Sequence, residues 1–209
     1  MSFLDAALII GSFSLAYTVA AMTPGPALIV VTQTSISASR RAGIFNALGF
    51  GVGALIWAIC ALFGLNLLFT EVPWIYQTVK ILGGLYLLYL GYRLWRSKGI
   101  DGIEIRADAL QTTSLAAFGK GLIIQLTNPE IIIFMGAVLS SLLPTDPPPA
   151  MLTVVLVIIF SVEFIWYSIV AIVCSHDRLR TGYARASRII DRIAGTLLAL
   201  IALRLFFWN

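Results

Sequence analysis

Charge is what this chain has least of. Asp, Glu, Lys and Arg together make up 11% of 209 residues, against about a quarter in soluble domains. Hydrophobic residues make up 59%. That balance excludes an ordinary soluble domain and points to a polytopic membrane protein in contact with a lipid bilayer. The net charge of +4 is small and spread over loops, so no nucleic-acid partner is expected. Cysteine is nearly absent. Cys60 and Cys174 lie 114 positions apart, which excludes zinc-ligand or CxxC redox spacing. With one histidine, His176, and no Ser/His or Asp/Asp constellation at membrane depth, no enzyme and no cofactor is expected. The N-terminus lacks a basic segment, and its first apolar run is too long for the core of a signal peptide. That run is therefore expected to persist as helix 1.

At about 20 apolar residues per span, the sequence divides into six spans near 4–34, 43–69, 73–96, 118–142, 149–174 and 189–208. The breakpoints carry Arg40-Arg41, Glu71-Val72-Pro73 and Pro147-Pro148-Pro149. The stretch from Ser97 to Thr113 reads as a loop. Lys and Arg gather between spans 1 and 2, around the 3–4 loop, and around a 5–6 loop that carries Arg178, Arg180, Arg185, Arg188 and Arg192. The alternate connections contain Glu71 and Asp146 and no cation. By the positive-inside rule the basic loops are cytoplasmic and both termini lie outside, with Arg204 discordant.

Three spans per half insert with opposite orientations. A weak repeat accompanies them: Gly84, Leu87, Arg93 and Leu94 recur as Gly195, Leu198, Arg204 and Leu205 at a constant offset of 111. The expected fold is an all-α polytopic membrane protein of six transmembrane helices. These form two inverted three-helix repeats, about 1–97 and 118–209, joined by a cytoplasmic loop at about 98–117 in one transporter domain.

Two dipeptides interrupt apolar runs: Thr23-Pro24, within Thr23-Pro24-Gly25-Pro26, and Asn128-Pro129. Proline removes a backbone donor and clashes with the carbonyl one turn back, so helices 1 and 4 should break there. Both breaks fall near mid-membrane at 1.5 Å per residue. Bare backbone groups at that depth are tolerated only within protein or along a polar cavity. Paired interruptions in matching spans point to the binding site of a secondary transporter. Thr23, Gln33, Gln125, Thr127 and Asn128 could supply polar side chains there. Half-helix ends would suit the carboxylate and the ammonium of a zwitterion.

Glu163, near the centre of span 5, must be protonated or partnered and is the candidate proton-coupling group. Lys80, about two turns into span 3, could pair with an acid, bind a carboxylate or snorkel to the surface. Glu130, directly after Pro129, reads equally as a cap on the second half-helix or as a site residue. Gly43, Gly49, Gly51 and Gly53 on span 2 read as a helix-packing face.

Thr23-Pro24-Gly25-Pro26, Arg41-x-Gly43 followed by Gly49, Lys80 followed by Gly83-Gly84-Leu85-Tyr86-Leu87-Leu88-Tyr89-Leu90-Gly91, and Thr127-Asn128-Pro129 together match one pattern. The chain resembles the lysine-exporter/homoserine–threonine-exporter (LysE/RhtB) family over nearly its whole length. The resemblance implies a bacterial inner-membrane exporter, an antiporter of amino acids or related small metabolites driven by the proton gradient. It places the substrate at Thr23, Pro24, Gly25, Pro26, Gln125, Thr127, Asn128, Pro129 and Glu130, with Glu163 and Lys80 in coupling. Lysine usually follows Asn-Pro in the family, and here the residue is Glu130. A thiol–disulfide carrier of the wider superfamily would need a cysteine in spans 1 and 4, and a channel would need a continuous polar lining. The sequence leaves a homo-oligomer open.

Overall fold

The structure, a computed structural model, describes residues 3–23, 25–71, 73–96, 112–144 and 146–207. Its order is α1 Phe3–Ala21, α2 Pro26–Ser37, α3 Arg40–Glu71, α4 Pro73–Trp95, α5 Ser114–Leu126, α6 Pro129–Leu142, α7 Pro149–Cys174 and α8 Asp177–Phe207. No strand occurs among the described residues. Leu4–Ala21, Arg40–Gly64 and Pro149–Cys174 are each long and apolar enough to cross a membrane. At 12, 13 and 14 residues, α2, α5 and α6 reach only about 18–21 Å, short of a roughly 30 Å hydrocarbon core.

Both expected breaks are present. The last turn of α1 tightens as Thr23 N–H donates to Ala20 O at 2.9 Å, and α2 restarts at Pro26 from an extended Gly25. Pro24 itself lies outside the described residues. At the second break, Thr127 N–H and Thr127 Oγ1 both donate to Ile123 O, at 2.9 and 2.8 Å. Proline at the first helical position of α2 and α6 fits, because that N–H has no intrahelical acceptor anyway.

One boundary differs from the expectation. Residues 177–188 belong to α8, not to a basic 5–6 loop, and only Ser175 and His176 separate α7 from α8. Arginine is a good helix former, and nothing between Asp177 and Gly182 breaks a helix, so charge here marks the start of a helix and not a loop. Similarly, α5 begins at Ser114, where the Thr113 side chain accepts from Ala116 N–H at 3.2 Å as an N-cap.

Packing relies on close backbone approach. A Cβ on Gly121 would collide with Asn46 O, and one on Gly49 with Phe118 O. Small residues thus let α3 and α5 lie side by side, running parallel. Asn46 Nδ2 donates to Ala117 O at 2.8 Å across this seam. The antiparallel pair α4 and α8 meets at Gly91 and Gly195, each facing the other's carbonyl. Gly43 lies against Ser35 and Ala171, Gly51 against Phe160 and Gly53 against Gln125, so Gly43, Gly49, Gly51 and Gly53 have the packing role expected of them.

Two buried clusters form the interior. One gathers Phe13, Tyr17, Leu90, Phe134, Met135 and Ile159, and the other Leu28, Val31, Phe50, Tyr167 and Val170. The outside is apolar too: Leu8, Phe63, Leu82, Val157, Ile165 and Leu200 are all exposed. So many exposed large apolar side chains fit hydrocarbon rather than water.

Candidate substrate site

Where the two clusters meet, a cavity of about 50 Å³ is lined by residues from both helix breaks and from α4 and α7. It has room for about three or four waters. Thr23 and Gly25 come from the first break, Gln125 and Asn128 from the second, and Glu163 from α7. Four residues expected at the substrate site and Glu163, expected as the coupling group, thus share one cavity. Tyr17, Tyr167, Leu90, Ile131 and Phe134 complete most of its wall.

Glu163 is 3% exposed. Its Oε1 accepts from Tyr17 OH at 3.0 Å. Gln125 is an electrostatic neighbour of the carboxyl, but Oε2 has no partner at hydrogen-bonding geometry among the described residues, and neither has the buried Thr23 Oγ1. A buried polar atom without a partner is uncommon and signals a ligand, a water or a strained arrangement. Two of them in the wall of one cavity mark a place where a polar guest would be stabilised.

The helix ends supply the rest of the field. Gly25 has no side chain with which to cap α2, so the cavity-lining Ala27 N–H lies in the uncapped, positive first turn. The opposite ends are occupied. Tyr167 OH donates to Ala21 O, the last carbonyl of α1, at 3.4 Å. Trp57 Nε1 donates to Leu126 O, the last carbonyl of α5, at 3.3 Å.

Other expected residues stand apart. The Thr127 hydroxyl is turned back on its own helix. Gln33 and Pro26 are absent from the cavity wall. The side chains of Lys80, Pro129 and Glu130 lie outside the described residues, as does Pro24. Sequence reasoning missed Tyr17 and Tyr167. A signal for the second was present, since Tyr167 follows Glu163 by one helical turn and shares its face. Cys60 is exposed, and Cys174 is buried with its Sγ 3.7 Å from Thr32 Oγ1.

A second hollow, about 430 Å³ and almost wholly apolar, lies between α1 and α7 and is lined by Ser14, Thr18, Val157, Ile158, Val162 and Ile169 among others. The α1–α7 contact thus lacks the close glycine seam of α3–α5.

The family model described as LysE type translocator matches residues 18–207. The threonine efflux protein of Salmonella typhi is 32% identical over 188 residues, covering 89% of this chain and 91% of the relative. The threonine efflux protein of Escherichia coli (strain K12) is 32% identical over 189 residues, with the same coverage. No solved structure matches the chain.

Proposed function

The chain belongs to the LysE-type translocator family, and on that premise we propose that it exports a small amino acid across the bacterial inner membrane, in exchange for protons, through the cavity between its two helix breaks. The observation that carries this reading is the convergence of Thr23, Gly25, Gln125, Asn128 and Glu163 on one buried cavity. Relatives that cover nine-tenths of the chain are threonine efflux proteins, so the substrate class is an amino acid with a small side chain. Its carboxylate is received at the first turn of α2 and its ammonium at Glu163. The apolar wall of Leu90, Ile131 and Phe134 takes the side chain.

The six-span arrangement in two inverted repeats, with both termini outside, is part of the same reading. Its support is internal. Ala21 and Leu126 occupy matching places at the two breaks, and each carbonyl receives a donor from a long neighbouring helix, Tyr167 of α7 or Trp57 of α3. Inverted repeats that hold a midplane site at their interface are a common transporter plan.

Cells expressing the chain and loaded with mixed amino acids should release one or a few small neutral amino acids above an empty-vector control. An unchanged external profile would defeat the export reading. On purified protein, Asn128→Ala should weaken binding of the exported amino acid by about 1–2 kcal/mol, the worth of one hydrogen bond to a charged group. Unchanged affinity would remove Asn128 from the site.

A further inference from the structure

The Glu163 carboxyl has one committed oxygen and one open one. Oε1 is held by Tyr17. Oε2 is buried, without a hydrogen-bond partner among the described residues, in the wall that also carries the unpartnered Thr23 Oγ1. We propose that Oε2 takes either a proton or the ammonium of the exported amino acid, never both, and that this exclusion sets the exchange at one proton inward per zwitterion outward. The inference rests on the reading of this cavity as the substrate site, and it adds the stoichiometry and the charge moved.

The physical basis is the cost of a bare buried charge. Taking an unpaired carboxylate out of water costs several kcal/mol even after relaxation. A carrier whose site closes over a naked Glu163 is therefore rare. Two closed forms escape the penalty: the protonated acid, and the carboxylate paired with an ammonium. The first makes the inward trip and delivers its proton to the cytoplasm as substrate displaces it. The second makes the outward trip, and an external proton releases the amino acid. Coupling then needs no separate relay, because the empty deprotonated form is the one that cannot cross.

Among the described residues, the cavity wall holds no second carboxyl to compete with Glu163. Among the described residues, the other titratable groups in the wall are Tyr17 on α1 and Tyr167 on α7 itself. Each phenol donates a hydrogen bond, to Glu163 and to Ala21 O. Among the described residues, α2, α3, α4, α5 and α6 bring no titratable side chain to the wall, the side chains of Lys80 and Glu130 lying outside that set, and on α8 the buried Asp191 is not part of it. A zwitterion carries no net charge, so each cycle moves one positive charge inward. Membrane potential alone then drives export, by about 50-fold per 100 mV.

The test is L-threonine binding to the purified full chain between pH 5 and 9, together with proton release in weak buffer. Wild-type affinity should fall about tenfold for each pH unit below the titration midpoint of the site, level off above it, and be accompanied by release of up to one proton. Glu163→Gln should bind at least tenfold more weakly, with no pH dependence and no proton release. Glu163→Asp should restore both. In vesicles, a potassium-diffusion potential at equal pH should drive threonine movement in wild type. Wild-type affinity that is flat with pH, or pH dependence retained by Glu163→Gln, overturns the exclusion. Should Glu163→Gln fail to fold, the wild-type profile and proton count still decide. If none of the twenty common amino acids binds wild type at any pH, the substrate-site reading itself fails, an outcome distinct from pH-independent binding.

Discussion

Gly121→Val is expected to separate α5 from α3 and leave little folded protein, while Gly119→Val in the same helix is expected to be tolerated. A Cβ at Gly121 meets the Asn46 backbone carbonyl, whereas one at Gly119 meets nothing within 4 Å. Backbone cannot rotate aside as a flexible side chain can, so the helices must part. Overpacking of this kind costs about 1–3 kcal/mol and occasionally more. Parting the helices also breaks the buried bond from Asn46 Nδ2 to Ala117 O, worth about 1–3 kcal/mol when a buried partner is stranded. A combined loss of about 3–5 kcal/mol is a large share of a typical total stability of 5–15 kcal/mol. Thermal unfolding in detergent measures it, and equal melting temperatures for the two variants would show that the seam is looser than described.

Pro129→Ala is expected to abolish substrate binding in a protein that still inserts and purifies. Proline inside a helix is unfavourable by about 3 kcal/mol, and its removal lets α5 and α6 join into one hydrogen-bonded ladder. That withdraws the open backbone and shifts Asn128 relative to Gln125, both of which line the cavity. The affinity lost is on the order of a hundredfold if the 3 kcal/mol appears in full. Pro24→Ala should behave alike. Pro149→Ala is the control, because Pro149 is exposed at the first turn of α7, where proline has no helix to break. Wild-type affinity in both break variants would reduce the interruptions to structural kinks.

How much of this was legible in the chain varied with the kind of signal. The breaks at Thr23–Gly25 and Asn128 could be read because proline acts locally, whatever surrounds it. Glu163 stood out because a carboxylate in a run such as Val162-Glu163-Phe164 is rarely idle. Tyr17 and Leu90 were not legible. Each sits on a helix with apolar residues all round, so periodicity does not tell the inward face from the one turned to lipid. The start of α8 was misplaced for a related reason: its arginines were read by charge, although Asp177–Arg188 contains good helix formers. Thr127 sat at the expected place, but its hydroxyl was already used by Ile123 O, a local competition common for threonine.

The two donors on the break carbonyls have a consequence for ion choice. Transporters that couple to sodium commonly hold it on unwound carbonyls and the C-terminal ends of half-helices. Here those positions are spoken for, Ala21 O by Tyr167 and Leu126 O by Trp57. A metal cation arriving at either break would have to displace an aromatic donor anchored on a long helix before it could use the last carbonyl of that half-helix. The two half-helix ends are thus closed to sodium, and on the proton-exchange proposal replacing external sodium with choline should leave the rate of export unchanged.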